Sequence, residues 1–141
     1  MPKRFLAAVI VAGTALLPTV ASADPARDAI LAGYLTQAKG EDPAFADFSA
    51  ERGQAFYLAT QTGGKPDTTA CQACHGADPR AAGKNVKTGK VIEPMAVSAN
   101  PKRFTVAEDV EKWFGRNCKD VLGRACTAAE KGDYIAFLVS Q

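Results

Sequence analysis

Cys71-Gln72-Ala73-Cys74-His75 is the stretch on which the reading of this chain turns. It has the C-x-x-C-H form of a c-type haem attachment site. Two thiols three positions apart lie on one side of a helical turn, and each can form a thioether to a haem vinyl group. The next residue, His75, then sits beneath the iron as proximal ligand, and it is the one histidine in the chain. A structural zinc site would need four nitrogen or sulfur ligands, and no second C-x-x-C or H-x-H pair is present. A thioredoxin-like redox site would need a βαβ pattern around the cysteines, and none is visible. The expectation is one covalently attached haem c, bound by Cys71 and Cys74 and ligated by His75.

Outward from the motif, the 141 residues predict one domain behind a leader. Residues 1–23 read as a signal peptide. Met1-Pro2-Lys3-Arg4 gives a positive start, Phe5 to Leu17 an apolar run too short to span a bilayer, and Ala21-Ser22-Ala23 an A-x-A cleavage site. The mature chain is then 24–141, exported to the periplasm, where c-type haem is attached and disulfides persist. Loss of Lys3 and Arg4 brings the 17 basic residues level with the 15 acidic ones. A net charge near zero argues against nucleic acid as a partner. No later apolar stretch is long enough for a membrane span.

The pattern along the rest is helical. Asp24-Pro25 opens a first helix with Ile30, Leu31, Tyr34, Leu35 and Ala38 on its apolar face and Gly40 as its stop. Ser49 caps a second helix, on which Gly53 and Tyr57 share a face. Residues 61–67 form a Gly- and Pro-containing loop, and Gly76 to Pro101 a long loop wrapping the haem. Thr105 to Glu108 reads as a capping box opening a helix with Val106, Val110, Trp113, Phe114 and Asn117 on one face. Thr127 to Glu130 reads as another, opening a last helix with Tyr134, Ile135, Phe137 and Leu138. No segment reads as a strand. Helices flanking a C-x-x-C-H motif and its loop resemble a class I cytochrome c. That resemblance implies an all-α fold around one covalently bound haem, in which the helix with Gly53 and Tyr57 crosses the one with Tyr134 and Phe137. Residues 24–48 are an N-terminal extension.

The sixth iron ligand separates an electron carrier from a gas binder. A second histidine does not exist. Met95 is the one methionine after the leader and would give the usual His/Met ligation, or fill a gap in the core. Asn117 ends an apolar helical face that should point at the core or the haem, where an amide needs a partner. Cys118 and Cys126 should pair in an oxidising compartment. Closing so short a loop contributes about 2.5 kcal/mol in the chain-entropy treatment and fixes the backbone beside Asn117.

Five stretches together resemble the sphaeroides haem protein family: Gln61 to Asp67, the motif with Gly76-Ala77-Asp78, Val110 to Trp113, Gly115-Arg116-Asn117-Cys118, and Gly123-Arg124-Ala125-Cys126. Its members are small periplasmic cytochromes c with an asparagine sixth ligand. The resemblance implies that Asn117 is the distal ligand and that Cys118–Cys126 is the disulfide beside it. It also implies oxygen or nitric oxide as gas ligand, and as redox partner a di-haem cytochrome c or a membrane b-type cytochrome. The prototype of the family carries an aliphatic residue where this chain has Met95, which keeps His75/Met95 electron transfer as the alternative. An amide is a hard donor that suits ferric better than ferrous iron, so reduction should release it and open the iron to a diatomic ligand. Arg80, Lys84, Lys87 and Lys90 form a basic stretch fit for an acidic redox partner or for solvent. An enzyme ranks last, because no distal histidine is available for proton transfer.

Overall fold

The computed structural model describes residues 23–141, so the expected signal peptide lies, but for Ala23, outside the described residues. Helix α1 spans Pro25–Glu41. Asp24 caps it as expected, accepting from the backbone N–H of Ala26 at 2.9 Å and of Arg27 at 3.3 Å. The helix runs past Gly40 and stops at Asp42, which is extended (φ −139°, ψ 104°). Pro43 explains the difference, since the residue before a proline is driven out of the helical region.

Helix α2 spans Ala50–Leu58, with the Ser49 hydroxyl accepting from Arg52 N–H at 3.2 Å. Helix α3 is the single turn Gln72–His75. The 76–101 segment is not wholly irregular. It contains a small antiparallel pair, β1 (Gly83–Lys84) and β2 (Val91–Ile92), with Gly83 opposite Ile92 and Lys84 opposite Val91. Two-residue strands carry too little alternation to be read from sequence.

Helix α4 spans Ala107–Leu122 and α5 spans Ala128–Val139. The expected box at Thr127 is present, with reciprocal bonds between Thr127 and Glu130. The one at Thr105 is not. Val106 is the N-cap residue of α4, and the Thr105 hydroxyl instead donates to the Lys102 carbonyl at 2.9 Å. That turn is tight enough to hold Phe104 at φ 62°.

The core lies where α1 and α2 pack on α5. A Cβ on Gly53 would fall 1.9 Å from the Asp133 carbonyl oxygen and 2.8 Å from Phe137 Cβ, so only glycine lets α2 and α5 approach this closely. Around the crossing, the Tyr57 ring lies 5.9 Å from Tyr134 and 5.4 Å from Phe137. This is the expected crossing of helices. The buried Asp133 carboxylate accepts from Ser49 N–H, Arg52 Nε and Arg52 Nη2 at 2.7–2.8 Å, tying the start of α2 to α5. Buried charge needs such pairing. On the other side, Phe114 meets Tyr134 and Tyr34 edge-on, joining α4 and α1 to the same core.

The α4 face differs from the one expected. Its buried stripe is Val110, Phe114, Cys118 and Leu122, each four residues from the last. Val106 and Trp113 are about half exposed, and Asn117 is exposed on the neighbouring stripe. A 3.6-residue period does not say which of two adjacent stripes the core takes.

Candidate functional site

The motif turn is gripped from several directions. The His75 N–H donates to the Cys71 carbonyl at 3.1 Å, and Gly76 closes the turn at φ 77°. From α2, the Tyr57 hydroxyl donates to the Gly76 carbonyl at 2.7 Å, and the Leu58 carbonyl accepts from Gln72 Nε2 at 2.7 Å. From behind, β1 presses its Gly83 against the turn. A Cβ there would lie 2.3 Å from the Cys74 carbonyl oxygen and 2.8 Å from His75 Cα.

Cys71 and Cys74 are free and half-buried on this turn. Burial pushes the Cys71 thiol up to about 11. A redox-active or metal-binding cysteine acts as the thiolate, which burial disfavours at Cys71. Nor do three or more metal-ligating side chains gather anywhere among the described residues, as zinc would require. His75 is pushed down to about 4, first by burial and then by the Arg103 cation. It is therefore neutral at pH 7 with a lone pair to give. Its Nδ1 is buried without a hydrogen-bond partner among the described residues. Two free thiols and a neutral, incompletely paired imidazole on one short turn suit a covalently tethered haem. Cys71 and Cys74 would hold it and His75 would ligate the iron.

Asn117 sits differently. It is exposed, and its amide makes no hydrogen bond among the described residues. The helix beneath it is pinned. Cys118 is buried and joined to Cys126 as a disulfide, with Cα atoms 5.6 Å apart. Gly123 ends α4 in the left-handed region (φ 72°), packed so tightly on Gly63 that a Cβ would meet the Gly63 carbonyl oxygen. The Asp120 carbonyl accepts from Lys65 N–H at 2.7 Å and from the Thr68 hydroxyl at 3.0 Å. Lys65 also pairs with the Asp120 carboxylate. The 61–67 loop thus links the end of α4 to the segment entering Cys71. One turn before Asn117, Trp113 stands between Lys112 and Arg116, 5.7 and 5.9 Å from its ring centre.

Met95 is buried in the core cluster, and its N–H and that of Ala96 both donate to the Pro79 carbonyl at 2.9 Å. Lys84, Lys87 and Lys90 are exposed on the hairpin. Lys87 pairs with Asp67 at 3.4 Å, and Arg80 with Asp78 at 3.1 Å. Sequence reasoning passed over Gly83, Arg27 and Arg103. Gly83 carried no signal beyond being a loop glycine. Arg27, 2 % exposed, sits one turn ahead of the apolar face of α1 and reads there as a solvated charge.

Comparison with known proteins adds four findings. Residues 43–138 match the family described as a domain of unknown function (DUF1924). The chain is 47 % identical over its full length to the full length of the cytochrome c-type protein SHP of Cereibacter sphaeroides. A solved structure of oxidised SHP, an oxygen-binding cytochrome c, superposes with a TM-score of 0.74 at 51 % identity, covering 82 % of this chain and 96 % of that one. The solution structure of cytochrome c'' from Methylophilus methylotrophus, solved for the structural basis of haem-ligand detachment, gives 0.70 at 33 % identity over 82 % and 93 %.

Proposed function

We propose, from the premise that this chain belongs to the SHP family of c-type cytochromes, that it is a haem protein which takes an electron from a partner cytochrome and binds a diatomic gas when Asn117 lets go of the iron. The observation that carries the reading is the pinned turn presenting Cys71, Cys74 and a neutral His75 in a chain half identical to an oxygen-binding cytochrome c. The haem supplies a one-electron centre whose reduced iron takes a diatomic ligand such as oxygen or nitric oxide.

The residues divide the work. Cys71 and Cys74 tether the group by thioethers. His75 is the permanent ligand, because Gly83 and the Tyr57–Gly76 bond leave its turn no room to move. Asn117 is the releasable ligand. Its amide is a hard donor matched to ferric iron and poorly matched to ferrous, and among the described residues no hydrogen bond holds the side chain in place. The helix end is fixed by Cys118–Cys126 and by the 63–68 segment, so release is a rotation of the Asn117 side chain rather than a movement of α4. Met95 is a poor rival. It is buried in the core cluster, and its backbone N–H is bonded to the Pro79 carbonyl.

The exposed Lys84, Lys87 and Lys90 give an acidic partner, a di-haem cytochrome c or a membrane b-type cytochrome, a surface to meet. The start Met1-Pro2-Lys3-Arg4 and the Ala21-Ser22-Ala23 site direct the chain to the periplasm, with cleavage after Ala23. Among the described residues no helix is long and apolar enough to cross a membrane.

The deciding experiment compares Asn117→Val and Met95→Leu in the ferric protein. The expected result is a high-spin spectrum for the first and a nearly unchanged one for the second. The reverse pattern, together with a methionine-to-iron charge-transfer band in the unaltered protein, would replace gas binding by ordinary His75/Met95 electron transfer.

A further inference from the structure

A chain of contacts runs from helix α1 to the back of His75. Arg27, buried on α1, donates from Nε to the Arg103 carbonyl at 3.1 Å and from Nη2 to the Pro101 carbonyl at 2.6 Å. Arg103, half-buried, reaches back in turn. Its Nε donates to the Pro94 carbonyl at 2.9 Å and its Nη2 to the Glu93 carbonyl at 2.6 Å. Those carbonyls continue strand β2, whose Ile92 is opposite Gly83, and Gly83 abuts His75 Cα. The strand pair β1–β2 therefore links the segment that holds the Arg103 guanidinium to the backbone of His75. Phe104, at φ 62° and edge-on to Tyr134 at 6.3 Å, locks the backbone on the other side of Arg103.

The partners of this cation are neutral. Both groups that accept from Arg103 are backbone carbonyls, and among the described residues it has no ion-pair partner. A charge satisfied in hydrogen bonds but not in charge keeps its field, and partial burial weakens the screening of that field.

We propose that Arg103 is a positioning residue for the redox centre: a cation fixed behind His75 by the Glu93 and Pro94 carbonyls and held from α1 by Arg27, which biases the His75-ligated iron toward the ferrous state. Reduction removes one positive charge from that centre, so a fixed positive charge nearby favours the reduced form. The proposal gives α1, which precedes the 43–138 family match, a role at the haem. It rests on the reading of His75 as iron ligand. The iron–histidine stretching band in the resonance Raman spectrum of the reduced holoprotein tests that reading separately. Its absence from a five-coordinate, high-spin ferrous protein would remove His75 as ligand whatever the potential does.

The test is the midpoint potential of the holoprotein, read by spectroelectrochemistry, for Arg103→Gln, Arg103→Lys and Arg27→Met. At a fixed ambient potential Arg103→Gln should lower the ferrous-to-ferric ratio about three- to tenfold, a fall of about 30–60 mV at 59 mV per tenfold. Arg103→Lys keeps the charge and should recover most of that loss. Arg27→Met leaves the charge but frees the segment, and should give a smaller fall of the same sign. A ratio unchanged within twofold in Arg103→Gln, or an equal fall in the Gln and Lys variants, overturns the proposal. If Arg103→Gln does not retain haem, Arg27→Met is read alone, and no fall there overturns it.

Discussion

The two ends of the site are built in opposite ways. Around His75 the protein leaves no slack. Backbone meets backbone at Gly83, a tyrosine hydroxyl holds the Gly76 carbonyl, and the imidazole is kept neutral by burial and by a nearby cation. Around Asn117 the protein fixes the helix and leaves the side chain alone. The amide is exposed, and Gly115, two residues earlier, has no neighbour within 4 Å of where a Cβ would stand. In the proposed ligation, the difference is what a permanent and a releasable ligand would each need: a rigid backbone under His75 and an unconstrained side chain at Asn117.

The largest expected effect comes from breaking the tight end outright. In the Cys71→Ala/Cys74→Ala double variant all haem should be extractable by acid-acetone. Pigment that stays covalently bound would show that attachment does not run through this turn. A finer probe sets two glycines against each other. Gly83→Val would drive side-chain atoms into Cys74 and His75 and should cost about 2 kcal/mol or more, with a disturbed haem spectrum. Gly115→Ala meets open space on an exposed helix face and should be neutral or stabilise by about 0.5–1 kcal/mol. Thermal melts of the two proteins check this, and similar costs at both positions would erase the contrast.

The Cys118–Cys126 pair tests whether the loose end depends on a fixed helix. Its cysteines should resist alkylation until reduced. Replacing both by alanine should lower stability by about 2–3 kcal/mol and, with α4 less constrained, alter the rate of carbon monoxide binding to the ferrous protein. An unchanged rate would mean that Asn117 is set by its rotamer alone. The smallest effect is electrostatic and also lies on this side. The Arg124 guanidinium, and then the Thr127 backbone N–H, hold the Glu130 carboxyl below its ordinary 4.5. The stabilisation is therefore fully present above that value and is lost as pH falls through the lower folded one. The melting difference between the unaltered protein and Glu130→Ala should shrink below about pH 4.5. A constant difference would show that the box at α5 works through its neutral hydrogen bonds.

The same asymmetry governed what the sequence could say. That Cys71, Cys74 and His75 share one short turn was legible because the spacing is local, within one helical turn. The Gly53/Tyr57 crossing with Tyr134 and Phe137 was legible because close approach of helices requires a small residue at one point. The caps at Asp24, Ser49 and Thr127 follow from side chains that reach only two or three residues. The Thr105 box failed because a competing acceptor, the Lys102 carbonyl, was supplied by a turn no local rule foresees. The α4 stripe shifted because Val106, Trp113 and Asn117 share a face as well as Val110, Phe114 and Cys118 do, and the choice between them is made by Tyr34 and Tyr134 on other helices. Arg27 and Arg103 were invisible for the same reason: their partners are carbonyls more than seventy positions away for Arg27, and those of an irregular segment for Arg103.

The most direct test of releasable ligation is the spin state of the reduced, unaltered holoprotein, read from its visible and magnetic circular dichroism spectra before and after carbon monoxide is added. The account predicts a high-spin ferrous spectrum that converts rapidly to the carbon monoxide adduct, because Asn117 has already left. A low-spin ferrous spectrum that binds carbon monoxide slowly, and becomes high-spin only in Met95→Leu, would contradict it.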